Sequence, residues 1–200
     1  MTAPLPSPAP RTHVHTRNAV YRGYYREDGL WDIEAELTDA KTYVFPNREG
    51  VVRKIGEPVH DMAIRVTVDD NMTIRDITAS MANTPFAECK PAIDPMRAFI
   101  GQTMGTGWRE AITNTIGGIG GCTHLRELLF NMATVAFQTM PSYQSVLRRQ
   151  RGEPEVESDT PARHFGRCMA WDFNGPVVAR VAPQFIGWKT VRPPKPAKPA

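Results

Sequence analysis

Cysteine and histidine side chains cluster where elements of secondary structure are expected to begin or end. Cys122 and His124 follow a run of glycines and open the strongest helical pattern in the chain. A helix N-terminus stabilises a thiolate through its free N–H groups and its dipole. Cys122 is therefore a candidate nucleophile or metal ligand, with His124 as its neighbour. His60 and Asp61 directly precede a strand pattern, and Cys89 lies between a strand and a helix.

These residue types fit several kinds of chemistry. Asp61, Cys89, Cys122 and His124 are ligand types for zinc or iron and could hold one divalent metal ion, with His60 or His124 as a general base. Such an ion would polarise a small organic substrate or activate water, as in a metal-dependent lyase or hydrolase. Alternatively, Cys122 acts without a metal as a nucleophile activated by His124. Since the sequence lacks CxxC and HExxH motifs, a non-catalytic binding domain with buried thiols also stays open.

Two β-hairpins are predicted ahead of the helices. The first covers residues 18–38, where apolar residues alternate with polar ones from Trp31 to Leu37, and the second covers residues 61–80 with a turn at 69–71. A third hairpin is predicted from 165–173 and 176–183 around Asn174–Gly175. It places Cys168 in a strand, where a structural role is expected.

Helices are predicted in the middle of the chain. Asp94 and Pro95 suit an N-cap and a first helical position, and residues 105–118 suggest a short helix. The long helix over residues 122–140 has apolar residues at helical spacing, and Pro141 is predicted to end it. The order of strands, helices and strands indicates an α+β fold with an antiparallel sheet of hairpins packed against a few helices.

Residues 56–140 resemble the IscU/NifU-type iron–sulfur scaffold fold. Residues 56–80 follow its pattern of loop, strand, acidic turn and return strand, Cys89 then precedes a helix, and GCTHLRELL opens a long helix at residue 121. The resemblance implies an IscU/NifU-like core with extra N-terminal and C-terminal hairpins. It places Cys89 and Cys122 at two of three scaffold cysteine positions, and His60 beside Asp61 replaces the first. An iron–sulfur or sulfur carrier, with an iron–sulfur cluster as cofactor, is thus an alternative function.

A longer stretch, about residues 11–185, is similar to the bacterial family called domain of unknown function 2889. The similarity is carried by DGLWDIEAELTDAK at 28–41, HDM at 60–62, Cys89 and GCTHLRELL at 121–129. It implies the same architecture and brings no established activity.

Charge and composition narrow the expected partners. Residues 192–200 contain three basic residues and no acidic one, so they account for the whole formal net charge of +3. The body is therefore not expected to bind nucleic acid. No run of about 18 apolar residues suggests a membrane span, and the three cysteines favour a reducing, cytoplasmic location. A small-molecule substrate is expected, and the predicted sheet could also pair with a second copy to form a homo-oligomer. Proline-rich residues 1–15 and 189–200 are predicted to be disordered, flanking one domain over residues 16–188.

Overall fold

The computed structural model describes residues 5–154, 158–162 and 164–188. These residues fall into two compact units that divide after Gln150, and each unit is described by itself. Residues 5–14 carry no helix or strand. Residues 1–4 and 189–200, most of the predicted disordered ends, lie outside the described residues.

The first unit is built on antiparallel strands. They are β1 (His15–Tyr25), β2 (Trp31–Lys41), β3 (Phe45–Pro46), β4 (Val52–Arg53), β5 (Pro58–Val68) and β6 (Ile74–Asn83). Four of them form one sheet in the order β1-β2-β5-β6, while β3 and β4 form a separate pair. The two N-terminal hairpins are thus confirmed as the pairs β1/β2 and β5/β6. With the helices, they give the predicted α+β class with an antiparallel sheet.

One face of the sheet carries the core because apolar residues alternate along its two central strands. Every second residue of β2 from Trp31 to Leu37 is buried, and so is every second residue of β5 from Met62 to Val68. Burying one large apolar side chain contributes about 1.5–3 kcal/mol. Since successive side chains of a strand point to opposite faces, the same alternation decides which polar residues share the core-facing side.

The helices cover this face. They are α1 (Trp108–Ile116) and α2 (Thr123–Gln150), with 3-10 segments at Ala87–Phe99 and Gly118–Gly120. α2 approaches β1 so closely at Gly23 that a Cβ there would collide with the side chain of Thr139. In the part of the chain that the structure describes, no helix has both the length and the apolar character needed to cross a membrane.

Two predicted helix boundaries are wrong. α2 does not end at Pro141 but continues to Gln150. Proline lacks an N–H donor, but the turn of α2 that follows Pro141 is stabilised by contacts with residues of the sheet and its hairpin turn. The Tyr143 ring lies 6.0 Å from the Trp31 ring, and Gln144 Nε2 donates to Asp70 Oδ1 at 2.9 Å. Tertiary contacts therefore outweigh the lost bond.

The helix predicted to start at Asp94 begins earlier and has a different geometry. The 3-10 segment starts at Ala87 and already contains Pro91 and Pro95. These prolines remove two N–H donors from the segment, while Met96 and Phe99 hold it against the core. Cys89 therefore lies in the first turn of this segment rather than in a loop before it.

The second unit contains α3 (Pro176–Val181) and a 3-10 turn at Pro183–Phe185. The predicted C-terminal hairpin is wrong, because residues 165–173 form turns and the second predicted strand is helical. Pro176 is at the start of α3, a position where its missing N–H has no cost. The aromatic side chains bury one another in a local cluster without a partner strand. Cys168 is exposed, and its prediction as a structural strand residue is wrong.

Candidate functional site

Two polar residues follow the apolar rows of the central strands β2 and β5, at the same end of this strand pair. The buried row of β2 ends at Leu37, and its next position is Asp39. The buried row of β5, followed towards its N-terminus, ends at Met62, and its next position is His60. Asp39 and His60 are direct partners in the antiparallel register. The sheet therefore holds a carboxylate and an imidazole side by side at the edge of the core.

Asp39 is ionised despite being only 8% exposed. It accepts hydrogen bonds from the His60 ring Nδ1–H at 3.0 Å, from the His60 backbone N–H at 2.8 Å, and from His15 Nε2 at 3.4 Å. Burial by itself raises the pKa of Asp39, but these hydrogen bonds and the electrostatic attraction to the His60 ring outweigh it, so the pKa lies below its ordinary value. Since a carboxylate only accepts, His60 carries a proton on Nδ1.

Cys122 is the residue immediately before α2. Its carbonyl oxygen accepts a hydrogen bond from the Arg126 N–H at 3.1 Å, which makes Cys122 the N-cap of the helix. Burial by itself raises the pKa of the Cys122 thiol. The bond to the His124 ring and those from the backbone N–H groups of Leu125 and His124 outweigh burial, so the pKa lies below its ordinary value. The helix start thus stabilises the thiolate, as the sequence suggests.

The rings of His124 and His60 connect this thiol to the end of the β2/β5 strand pair where Asp39 lies. Cys122 Sγ lies 3.6 Å from His124 Nδ1, and the His124 and His60 rings lie with their centroids 4.1 Å apart. Contacts therefore run without a gap from Asp39 through His60 and His124 to Cys122. We call these four residues the thiol–imidazole chain.

The thiol–imidazole chain opens into a cavity of about 470 Å³. His60, Cys122 and His124 line the cavity, and Cys89 contributes a second thiol. The rest of the wall is largely apolar, with contributions from Met62, Pro85, Pro91, Ala92 and Ile119. A cavity of this size and character suits a small organic molecule.

A buried arginine ties two walls of the cavity together. Arg53 is 8% exposed. Its Nε donates to the Pro58 carbonyl at 3.2 Å, and its Nη2 donates to the Thr84 carbonyl at 2.8 Å. Pro58 lies two residues before His60, and Thr84 lies directly before Pro85. Arg53 therefore fixes the spacing between the strand that carries His60 and the chain that enters the 3-10 segment bearing Cys89.

The structure brings most of the predicted site residues together. His60, Cys89, Cys122 and His124 all line the cavity. Asp61 does not line it, because it follows His60 on β5 and its side chain points to the opposite face of the sheet. The alternation of apolar residues along β5, extended towards the N-terminus by one step, already predicts that His60 and Asp61 face opposite sides of the sheet.

Two contributing residues were missed at the level of sequence. Asp39 lies one residue beyond the predicted end of its strand. It occupies the next position on the face that carries the apolar row from Trp31 to Leu37. That interrupted row is the signal that could have found it. His15 was assigned to the N-terminal tail but is the first residue of β1 and bonds to Asp39. No local pattern marks it.

The donor atoms do not fit a preformed metal site. Within residues 5–154, 158–162 and 164–188, no group of three Asp, Glu, Cys or His side chains is arranged to hold a metal ion. Nδ1 of His60 is directed at Asp39 and Nδ1 of His124 at Cys122, so these two ring nitrogens are engaged by protein groups. A zinc or iron ion held by Asp61, Cys89, Cys122 and His124 stays a prediction that the donor geometry does not favour.

The fold and the site together describe an α+β protein with a thiol and two imidazoles on one cavity. A family model described as Protein of unknown function (DUF2889) matches residues 15–138, and the chain belongs to this family. The matched segment contains the whole thiol–imidazole chain and Cys89. No curated protein and no solved structure matches the chain. The resemblance of residues 56–140 to the iron–sulfur scaffold fold therefore stays a prediction.

Proposed function

We propose that this protein is a thiol-dependent enzyme that acts on a small organic molecule, with Cys122 as its nucleophile. The observation that carries the proposal is the hydrogen bond between Cys122 and His124 at the N-terminus of α2, inside a cavity. Nucleophile, base and the group that orients the base are the three parts expected of nucleophilic catalysis.

Each residue of the thiol–imidazole chain has a distinct role. His124 takes the thiol proton and later returns it to a leaving group, because its Nδ1 already faces the sulfur. His60 and Asp39 are positioning residues. Asp39 fixes the protonated nitrogen of His60, and the packed His60 ring holds His124 in place. This division resembles the roles in acyl-transfer triads, where a carboxylate orients an imidazole and stabilises its charged form.

Cys122 rather than Cys89 is assigned as the nucleophile because of its bonding. The Cys122 sulfur is hydrogen-bonded to the His124 imidazole, and the backbone N–H groups at the start of α2 help to lower the pKa of its thiol. Cys89 lies in the first turn of a 3-10 segment and packs against the hydrophobic core. Cys89 therefore shapes the cavity wall, and its replacement by serine is expected to leave the reactivity of Cys122 largely intact.

The proposal is tested by alkylation with iodoacetamide followed by peptide mass spectrometry. We expect Cys122 to react faster than exposed Cys168 in the same sample at neutral pH, since His124 and the start of α2 stabilise the Cys122 thiolate. Cys89→Ser is the matched control, and Cys122→Ser should remove the fast phase. If Cys168 reacts at least as fast as Cys122, the proposal is wrong. Metal analysis of the same preparation tests the zinc or iron prediction, which requires a stoichiometric ion that Cys122→Ser loses.

A further inference from the structure

The cavity has few charges on its wall. Among the described residues that line it, Glu88 is the acidic side chain, and there is no lysine or arginine. Phosphate and carboxylate ligands are normally met by basic side chains, so the part of the wall away from the imidazoles and the start of α2 offers no partner for an anionic group. Its apolar residues suit a ligand portion that is neutral and largely hydrocarbon.

Ile119 is the most unusual part of this wall. Its side chain is fully exposed, at 108% of the reference area, although it lines the cavity. An exposed isoleucine gains nothing for folding, because the hydrophobic effect favours its burial. It lies in the 3-10 turn Gly118–Gly120, three residues before Cys122 in the chain. The exposed area is therefore available to a bound molecule.

The glycine-rich loop around Ile119 is held in place. Arg126 Nη1 donates to the carbonyls of Ile116 and Gly118, each at 3.1 Å. A Cβ at Gly117 or Gly121 would collide with backbone oxygens of α1, so these glycines permit close packing rather than free movement. The loop thus holds Ile119 in a defined position on the wall of the cavity that Cys122 also lines, as a specificity residue requires.

We propose that the substrate is a neutral ester or thioester whose unbranched hydrocarbon acyl chain lies over Ile119. This inference rests on the proposed thiol chemistry and names its substrate class. The Cys122 thiolate attacks the acyl carbon, a C–S bond forms, and the ester or thioester bond breaks. The leaving oxygen or sulfur takes the proton from His124. Water then attacks the S-acyl cysteine, gives its proton to His124, and releases the carboxylic acid with Cys122 restored as the free thiol.

The test uses the full chain and p-nitrophenyl esters of acetic, butyric and hexanoic acids. Acylation of Cys122 is followed by p-nitrophenolate release and by intact mass, and each rate is divided by the rate for glutathione. Half-burial of each methylene corresponds to about a twofold gain. Hexanoate has four more methylenes than acetate, so we expect the relative rate to rise about sixteenfold from acetate to hexanoate. Ile119→Ser should reduce that rise at least threefold. Ile55→Ser removes another exposed isoleucine, away from the cavity, and is the matched control.

The outcomes separate the two proposals. If iodoacetamide labels Cys122 rapidly but the esters show no dependence on chain length, the acyl-chain substrate is wrong and the thiol chemistry stands. If chain length matters equally in wild type and Ile119→Ser, the role of Ile119 is wrong. If Cys122 is no more reactive than Cys168 with either reagent, both proposals fall. Since the Ile119 side chain is fully exposed, its variant is expected to fold, which circular dichroism checks.

Discussion

Replacing His124 with alanine should raise the pKa of the Cys122 thiol towards that of an ordinary cysteine. The substitution removes the 3.6 Å contact between Cys122 Sγ and His124 Nδ1 but leaves the backbone N–H groups of α2 in place. A hydrogen bond to a charged group contributes about 1.5–3 kcal/mol. Since Cys122 is only half-buried, solvent screens the charge and the lower limit applies. The thiolate population at neutral pH should then fall about tenfold.

The assay is the rate of iodoacetamide alkylation of Cys122 as a function of pH, read by peptide mass spectrometry. We expect the midpoint of the profile to move to higher pH and the rate at neutral pH to fall about tenfold. At high pH, where both proteins are fully thiolate, the variant should react slightly faster, because a more basic thiolate is a stronger nucleophile. His164→Ala in the second unit is the matched control.

Two results would refute this reasoning. An unchanged midpoint would mean that the His124 contact does not stabilise the thiolate. A rate reduced equally at every pH would mean that the substitution closes access to Cys122 rather than changing its ionisation. Cys168, measured in the same samples, reports any general change in reagent or buffer.

Three further predictions concern stability. Asp39→Ala should destabilise the fold by about 1–3 kcal/mol, because it leaves the His60 ring N–H and backbone N–H without their acceptor. Urea unfolding measures this loss of stability, and a loss no larger than that of Asp39→Asn would contradict the prediction. The pKa of Cys122 is lowered in the folded state, so the stability it contributes is present above the ordinary thiol pKa and lost as pH falls through the lowered one. The stability difference between wild type and Cys122→Ser should therefore shrink with falling pH in that window. Gly23→Ala should cost about 1–3 kcal/mol through its collision with Thr139, and Thr139→Ala should recover part of that loss in a thermal-melt comparison.

Hydrophobic alternation carried most of the information on the sheet. The apolar rows of β2 and β5 predict both hairpins, and the same rows, read one step further, separate His60 from Asp61 and point to Asp39. The prediction of C-terminal strands was wrong because the apolar residues there pack into a local aromatic cluster. Their spacing in the sequence is the same as that of a strand with one buried face. The prediction for Cys168 depended on these strands and was wrong with them.

Local rules also failed where distant contacts override them. Pro141 is a sound helix end on backbone chemistry alone, yet α2 continues because Tyr143 and Gln144 bond or pack with residues more than 70 positions away in the chain. The metal prediction was based on residue types. Residue types do not determine the direction in which each donor atom points in the folded protein. The alternation along β5 directs Asp61 to the other face of the sheet, away from Cys122, and a metal ion at this site stays a prediction.

The sequence by itself determined the antiparallel class, the two N-terminal hairpins and the position of Cys122 at the start of a helix, because periodicity and helix capping act over a few residues. Only the tertiary structure decided that Asp39, His60, His124 and Cys122 form one chain of contacts. That chain depends on the register of β2 against β5 and on where α2 begins relative to the sheet edge. Such distances arise from packing the whole core, which no local pattern records.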